Sequence, residues 1–245
     1  MARRVQSVRP IRDLVPKLDT HMLYDAYPHP ELLLVDGFAP APQPWPAPLR
    51  PESVAALAIL VFLAPLMLTI AALIYLLDGA PPLFAQARLG KGGRSFDCLK
   101  FRTMRLDAEA VLSRLLERDP EACAAWRERQ KLPSDPRVTP LGRFLRISSL
   151  DELPQLINVV RGEMALVGPR PIVANEIERY GRQFRHYCRV RPGLTGLWQV
   201  SGRSRLAYRR RVAMDVLYVR RRRSALDLKI LALTLPAVLL QRGSA

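Results

Sequence analysis

The sequence predicts a mainly helical α/β protein with short strands, built around one apolar segment that meets a membrane. Three observations carry that expectation. Residues 54–77, VAALAILVFLAPLMLTIAALIYLL, contain no charged residue and are long enough to cross a hydrocarbon core of about 30 Å as a helix. Residues 82–104 alternate loosely around a Gly-Lys-Gly-Gly turn, which predicts a hairpin of short strands. From residue 107 onward apolar residues recur at helical spacing, beginning with Ala108, Val111, Leu112 and Leu115.

Residues 1–53 read as a proline-rich, largely disordered arm. Eight prolines fall between Pro28 and Pro51, a composition that favours extended polyproline geometry over packing. The apolar segment of residues 54–77 follows, with Pro65 at its midpoint. There the ring removes a backbone hydrogen bond and clashes with the carbonyl four residues earlier. Both flanks are basic: Arg3, Arg4, Arg9, Arg12, Lys17 and Arg50 precede it, and Arg88, Lys91, Arg94, Lys100, Arg102 and Arg105 follow. Basic residues mark the cytoplasmic side, so two basic flanks disfavour a simple crossing. On this pattern a helix bent at Pro65 that returns to the same face is narrowly favoured over a kinked helix that spans.

Residues 78–245 predict a folded domain on the basic side of that segment. Its elements are the hairpin, a helix over 107–119 ended by Asp119-Pro120, a second helix from Glu121, and then loop and turn through the prolines of 132–153. A helix near 154–160 follows, with Pro154 at a first helical position. The C-terminal stretch predicts a basic helix with Val212, Leu217 and Val219 apolar, then an apolar helix over 225–240 interrupted by Pro236. Arg220–Arg223 lie between them. Such interfacial amphipathic helices rest in the membrane plane with their arginines among anionic head groups.

The formal charge of +16, from 38 Lys and Arg against 22 Asp and Glu, points to an anionic partner. Cys98, Cys123 and Cys188 lack metal-ligand spacing and the three histidines form no cluster with them, which argues against a zinc site or a disulfide framework. Neither a P-loop nor GxGxxG is present, so a Walker-type or Rossmann nucleotide site is unsupported. The amino terminus lacks a secretory signal core.

Chemistry concentrates in four stretches: LKFRTM, GRFLRISSLDELPQL, VGPRP and RPGLTGLWQVSGRSR. Each joins small or rigid residues to fixed positive charge. Arginine meets phosphate with a planar fork of donors, and glycine lets backbone amides approach it. Within the second stretch Asp151 and Glu152 are adjacent. Taken alone, Ser149-Leu150-Asp151-Glu152 reads first as a capping box. Pro154 weakens that reading, because it puts both carboxylates in the turn before the helix. A phosphate-handling protein at a membrane can use such a pair in two roles. One carboxylate attacks phosphorus and the other holds Mg²⁺, which neutralises developing charge.

The run KFRTM, then DPRVTPLGRFLRISSLDELPQLINVVRGEMALVGPRP, then RPGLTGLWQVSGR resembles the bacterial sugar transferase family, the monotopic phosphoglycosyl transferases. The likeness covers about residues 52–240, and the order of several motifs makes it specific. It implies transfer of a hexose-1-phosphate from a UDP-sugar to undecaprenyl or another polyprenyl phosphate, with release of UMP. That is the first membrane step of exopolysaccharide, capsule, O-antigen or glycan synthesis, on the cytoplasmic face of the bacterial inner membrane. Asp151 matches the family's nucleophile, which forms a covalent phosphosugar intermediate, and Glu152 its partner, associated with Mg²⁺. Arg170 lies in the matching Pro-Arg-Pro element, expected near the nucleotide or phosphate, and Arg146, Lys100 and Arg102 fall in matching basic motifs expected to bind substrate phosphate. Gly196, Gln199 and Arg203 match the TGxxQVxGR loop. Pro65 coincides with the break in the family's re-entrant helix and tips that choice. The family's usual basic-aromatic-Asp stretch before the membrane helix is replaced here by LRPESVAAL.

Two other readings compete. A basic membrane-associated scaffold or nucleic-acid-binding protein would use the charge without catalysis, but no nucleic-acid module is recognisable. A phosphohydrolase would use the same aspartyl chemistry with water as acceptor, which leaves the apolar segment without a purpose. The expected partners are therefore a UDP-sugar, a polyprenyl phosphate and a membrane with anionic lipids, without nucleic acid. A homodimer, and the sugar itself, stay open.

Overall fold

A computed structural model describes residues 50–129, 132, 135–202 and 206–239. The proline-rich arm up to residue 49, and Arg203, lie outside the described residues.

Helix α1 runs over Pro51–Asp78, starting with Pro51 in its first turn and ending where Gly79 adopts φ 63° and donates its N–H to the Tyr75 carbonyl. Its most apolar window has a mean hydropathy of 2.8, and it is long and apolar enough to cross a membrane. Pro65 sits within the helix rather than ending it. Thr69 Oγ1 donates to the Pro65 carbonyl at 2.9 Å, one turn on. One stripe of α1 is covered along its length. Ala56, with Leu60 and Leu63, packs on Cys98, Leu156, Val159 and Met164. Further along, Ile70 and Ile74, with Met67 and Ala71, pack on Phe101 and Leu145. The opposite face is bare, including Phe62, Leu68 and Leu76.

The start of α1 is tied down by polar contacts. Ser53 Oγ donates to the Val159 carbonyl at 3.1 Å, and Glu52 pairs with Arg191. These contacts anchor the LRPESVAAL stretch to the rest of the fold.

Strands β1 (Leu83–Leu89) and β2 (Ser95–Phe101) form the expected antiparallel hairpin, in register Gln86 opposite Cys98 and Phe84 opposite Lys100. Helices α2 (Ala108–Arg118) and α3 (Pro120–Arg129) follow as their periodicity predicts. Helix α4, Pro140–Ser148, corrects the loop and turn expected there. Pro140 is not a breaker but a first-turn residue, and Thr139 caps the helix by accepting from the Gly142 N–H at 3.0 Å.

Asp151 and Glu152 lie in a 3₁₀ turn, Leu150–Glu152, ahead of helix α5 at Gln155–Val160. The capping box is not formed. Ser149 instead ends α4 in the left-handed region, at φ 61°, with its N–H on the Arg146 carbonyl. Strands β3 (Ala165–Val167) and β4 (Gly193–Thr195) pair in parallel, a pairing that the sequence pattern did not disclose. Between them come the short helices α6 (Ile177–Tyr180) and α7 (Phe184–Tyr187), and after them α8 (Leu197–Ser201). Helix α9, Tyr208–Arg221, buries Val212, Met214, Asp215, Val216 and Tyr218, so it is a core element with a basic end. Helix α10, Ser224–Leu239, continues through Pro236; it buries Ile230 and exposes Leu228 and Leu235.

Candidate active site

Alternation along the hairpin builds one wall of the site. Phe84, Gln86 and Arg88 on β1 stand opposite Lys100, Cys98 and Phe96 on β2, so these side chains share a face. Asn158 of α5 locks that hairpin in place. Fully buried, it donates through Nδ2 to the Asp97 carbonyl at 2.7 Å and accepts the Leu99 N–H on Oδ1 at 3.0 Å. The clamp sets β2 beside the turn that precedes α5, and Lys100 reaches the carboxylate pair. Its Nζ lies 2.7 Å from Glu152 Oε1 and 3.8 Å from Asp151 Oδ2.

The two carboxylates differ in environment. Burial pushes the Asp151 carboxyl above the usual carboxylate range, against the pull of Lys100, Arg146 and Arg170. Glu152 is held well below that range: burial acts the other way, but Lys100, Arg170 and Arg88 together outweigh it. Two neighbouring acids with separated proton affinities are suited to different roles. Arg146, on the last turn of α4, is fixed by donating from Nε to Thr103 Oγ1 at 2.8 Å, and its charge acts on Asp151.

A cleft opens over Glu152, with Lys100, Arg88 and Arg170 as its cations and Gln155, Leu194 and Gln199 among its neutral lining. Arg170 makes no hydrogen bond or ion pair among the described residues, so its fork is available to an anion. Arg88 was not picked out from the sequence. Its guanidinium donates to Gln86 Oε1 at 2.6 and 3.2 Å and to the Pro171 carbonyl at 3.0 Å, joining the hairpin to the Pro-Arg-Pro element. The hairpin register was the signal for it, because Arg88 alternates with Gln86 onto the face that carries Lys100.

Other expected site residues are placed differently. Arg102 does not line the cleft; its Nε donates to the Pro81 carbonyl at 2.8 Å, closing the base of the hairpin. Gly196 has a packing reason for lacking a side chain, since a Cβ there would come within 2.3 Å of the Gly168 carbonyl oxygen. The VGPRP and RPGLTG segments are thereby held backbone to backbone through β3 and β4.

Among the described residues no group of three or more His, Cys, Asp or Glu is placed to hold a metal. Magnesium is commonly held by one or two carboxylates, with water and substrate phosphates completing the shell. The hard oxygens of Asp151 and Glu152 fit that pattern, with Glu152 shared at present by Lys100.

The family model for bacterial sugar transferases matches residues 51–241, which includes the whole described structure before residue 240 apart from Arg50. The chain belongs to the bacterial sugar transferase family. It is 50% identical over 190 residues to the exopolysaccharide production protein ExoY of Rhizobium meliloti, covering 78% of this chain and 84% of that one. It is 45% identical over 198 residues to the undecaprenyl-phosphate galactose phosphotransferase of Salmonella typhimurium, covering 79% of this chain but 40% of the longer relative. With the UDP-glucose:undecaprenyl-phosphate glucose-1-phosphate transferase of Caulobacter vibrioides it shares 38% identity over 242 residues, 94% of this chain and 84% of that one. This bacterial sugar transferase is an enzyme of the phosphoglycosyl transferase class.

Proposed function

We propose that the protein transfers a hexose-1-phosphate from a UDP-sugar to undecaprenyl or a related polyprenyl phosphate, through a covalent intermediate on Asp151. The observation that carries this reading is the Asp151–Glu152 pair with Lys100 on one side and unpartnered Arg170 across the cleft. An Asp151 carboxylate oxygen attacks the sugar-bearing phosphorus, the bond from that phosphorus to the bridging oxygen breaks, and UMP departs with the electron pair. An oxygen of the lipid phosphate then attacks the same phosphorus and Asp151 leaves as carboxylate, giving a lipid-linked diphosphosugar. Arg88, Lys100 and Arg170 supply fixed positive charge where phosphate oxygens gather, which favours the transition state without reorganisation. The elevated proton affinity of Asp151 makes its anion the better nucleophile, and Lys100 and Arg146 favour its ionised form. Mg²⁺, held by Glu152 and Asp151, would neutralise charge on the phosphate oxygens. The acceptor phosphate carries its own negative charge, so a histidine base is not required.

Packing supports a re-entrant membrane arrangement. The covered stripe of α1 runs from Ser53 to Ile74 against the same domain that holds Asp151. A helix of this length spans about 42 Å at 1.5 Å per residue. Were it to cross fully, α5 and α4, packed at opposite halves, would have to enter the bilayer with it. A helix that enters and returns within one leaflet, leaving Phe62, Leu68 and Leu76 to lipid, avoids that conflict. The basic end of α9 and the exposed leucines of α10 suit the anionic cytoplasmic surface beside it.

The test is turnover in nanodiscs of a panel of UDP-sugars with undecaprenyl phosphate, read as UMP release and lipid product. Wild type forms a protein-bound phosphosugar in a single turnover without acceptor, and Asp151→Asn forms none. An Asp151→Asn enzyme with full activity sinks the nucleophile, while sugar phosphate released to water as sole product favours the hydrolase. Cysteines introduced on both flanks of α1 label from the same side; opposite sides refute the re-entrant arrangement.

A further inference from the structure

The cleft contains a neutral, hydrogen-bonding part that the phosphate chemistry does not use. Gln155 is only 2% exposed, lines the cleft, and its side-chain amide makes no hydrogen bond among the described residues. Gln199, also in the lining, has a buried Oε1 without any partner, while its Nε2 reaches the Leu194 carbonyl at a long 3.5 Å. Buried amides are almost always paired, so two under-used amides in one cleft mark a place where a ligand supplies the missing bonds. The backbone makes room for this. A Cβ on Gly196 would lie 3.0 Å from Gln199 Oε1, so any larger residue there crowds that oxygen.

We propose that Gln155 and Gln199 are specificity-determining residues that hydrogen-bond hydroxyl groups of the sugar being transferred. This inference rests on the function proposed above and names a feature of its substrate. The chemistry selects the occupant. Gln199 Oε1 is a pure acceptor, which repels a phosphoryl oxygen and attracts an O–H or N–H. An amide that both donates and accepts, such as Gln155, matches a hydroxyl, which does the same. Arg88, Lys100 and Arg170 already meet the demand for anion binding in this cleft. Position then favours the sugar over the base. Gln155 begins α5 three residues beyond Glu152, with which it lines the cleft, so it is placed near the phosphorus that Asp151 attacks, and the sugar is bonded to that phosphorus. The uridine hangs from the other phosphate.

The test pairs enzyme variants with substrate variants. UDP-glucose, UDP-galactose and UDP-N-acetylglucosamine are screened first in nanodiscs with undecaprenyl phosphate. The preferred donor is then compared with its singly deoxygenated analogues in wild type, Gln155→Leu and Gln199→Leu. In wild type the loss of one critical hydroxyl lowers kcat/KM by about 10²-fold or more, as expected of a site built to bond it. In at least one variant that penalty collapses to a few-fold, because the partner is already gone. Penalties that persist unchanged in both variants overturn the inference, since a purely structural role leaves substrate discrimination intact. Inhibition by UMP, which lacks the sugar, is unchanged by the substitutions; a UMP inhibition constant that weakens in step with them assigns the amides to the nucleotide and also overturns it. Should Gln155→Leu fail to fold, Gln199→Leu carries the same comparison. A wild-type enzyme that transfers no sugar phosphate from any of the three donors defeats the proposed function itself, an outcome distinct from unchanged penalties.

Discussion

Lys100 Nζ stands 2.7 Å from Glu152 Oε1, and the same ammonium lies 3.8 Å from Asp151 Oδ2. One lysine therefore favours the ionised form of both acids. Replacing it with methionine keeps the stem and removes the charge, leaving two partly buried carboxylates side by side. Lys100 lowers the proton affinity of each, so its loss raises both. Lys100→Met is expected to lower kcat/KM near neutral pH by about 10²-fold. Its acidic limb moves to higher pH, because less of the nucleophile is ionised at a given pH. A profile from about pH 5 to about pH 9 checks this, and a limb that stays in place removes Lys100 from the tuning of the pair.

Asn158→Leu is expected to cost stability as well as activity. Its amide serves the Asp97 carbonyl, the Leu99 N–H and Glu163 Oε2 at once. Each buried group left unpaired costs about 1–3 kcal/mol, so thermal unfolding should drop by several degrees or more. Activity falls too, since the clamp sets Lys100. An unaltered melting temperature would show that another contact holds β2 to α5.

How much of this was legible in the sequence divides along physical lines. Local signals were readable: the apolar run around Pro65, the glycine turn of the hairpin, and the stop at Asp119-Pro120 all act within a few residues. Helix α4 was missed because proline was read as a breaker, although Thr139 before it was the capping signal. The β3–β4 pairing joins two three-residue strands 28 positions apart (Ala165 to Gly193), too short to show a period. Asp151 and Glu152 were found as an adjacent pair, and Lys100 through its basic motif. Arg88 and Gln155 were not, because neither stands out until the hairpin register and the cleft bring it beside Glu152.

Gly193→Ala tests the backbone junction of the VGPRP and RPGLTG segments directly. A Cβ at this position would lie 2.0 Å from the Gly168 backbone nitrogen and 2.5 Å from the Thr195 carbonyl oxygen. No flexible side chain can yield, so the strands must separate. Loss of folded protein, or a fall in stability of more than about 3 kcal/mol, is expected. Gly79→Ala is the control. Its φ of 63° strains an alanine, but nothing lies within 4 Å of the added carbon, so about 1 kcal/mol is expected there. Chemical denaturation in detergent compares the two, and equal losses would contradict the close-approach account.

The last prediction concerns Asp215, buried on α9 at 2% exposure. Tyr180 Oη donates to its Oδ2 at 2.7 Å, and Oδ1 has no partner. Burial raises its pKa from an ordinary 3.8 to about 8, with the Tyr180 hydrogen bond and the charge of Arg170 only partly opposing. The folded protein therefore keeps this proton over a range in which the unfolded chain has released it. Where the native state binds more protons, stability falls as pH rises. The contribution of Asp215 is fully present below about pH 4 and is lost progressively toward about pH 8. Its slope is at most about 1.4 kcal/mol per pH unit. Asp215→Asn keeps an oxygen for Tyr180 and abolishes the titration. Melting temperatures of the two proteins, followed across that window, are expected to diverge steadily in favour of the asparagine variant as pH rises. Parallel curves would mean that Asp215 folds as a carboxylate.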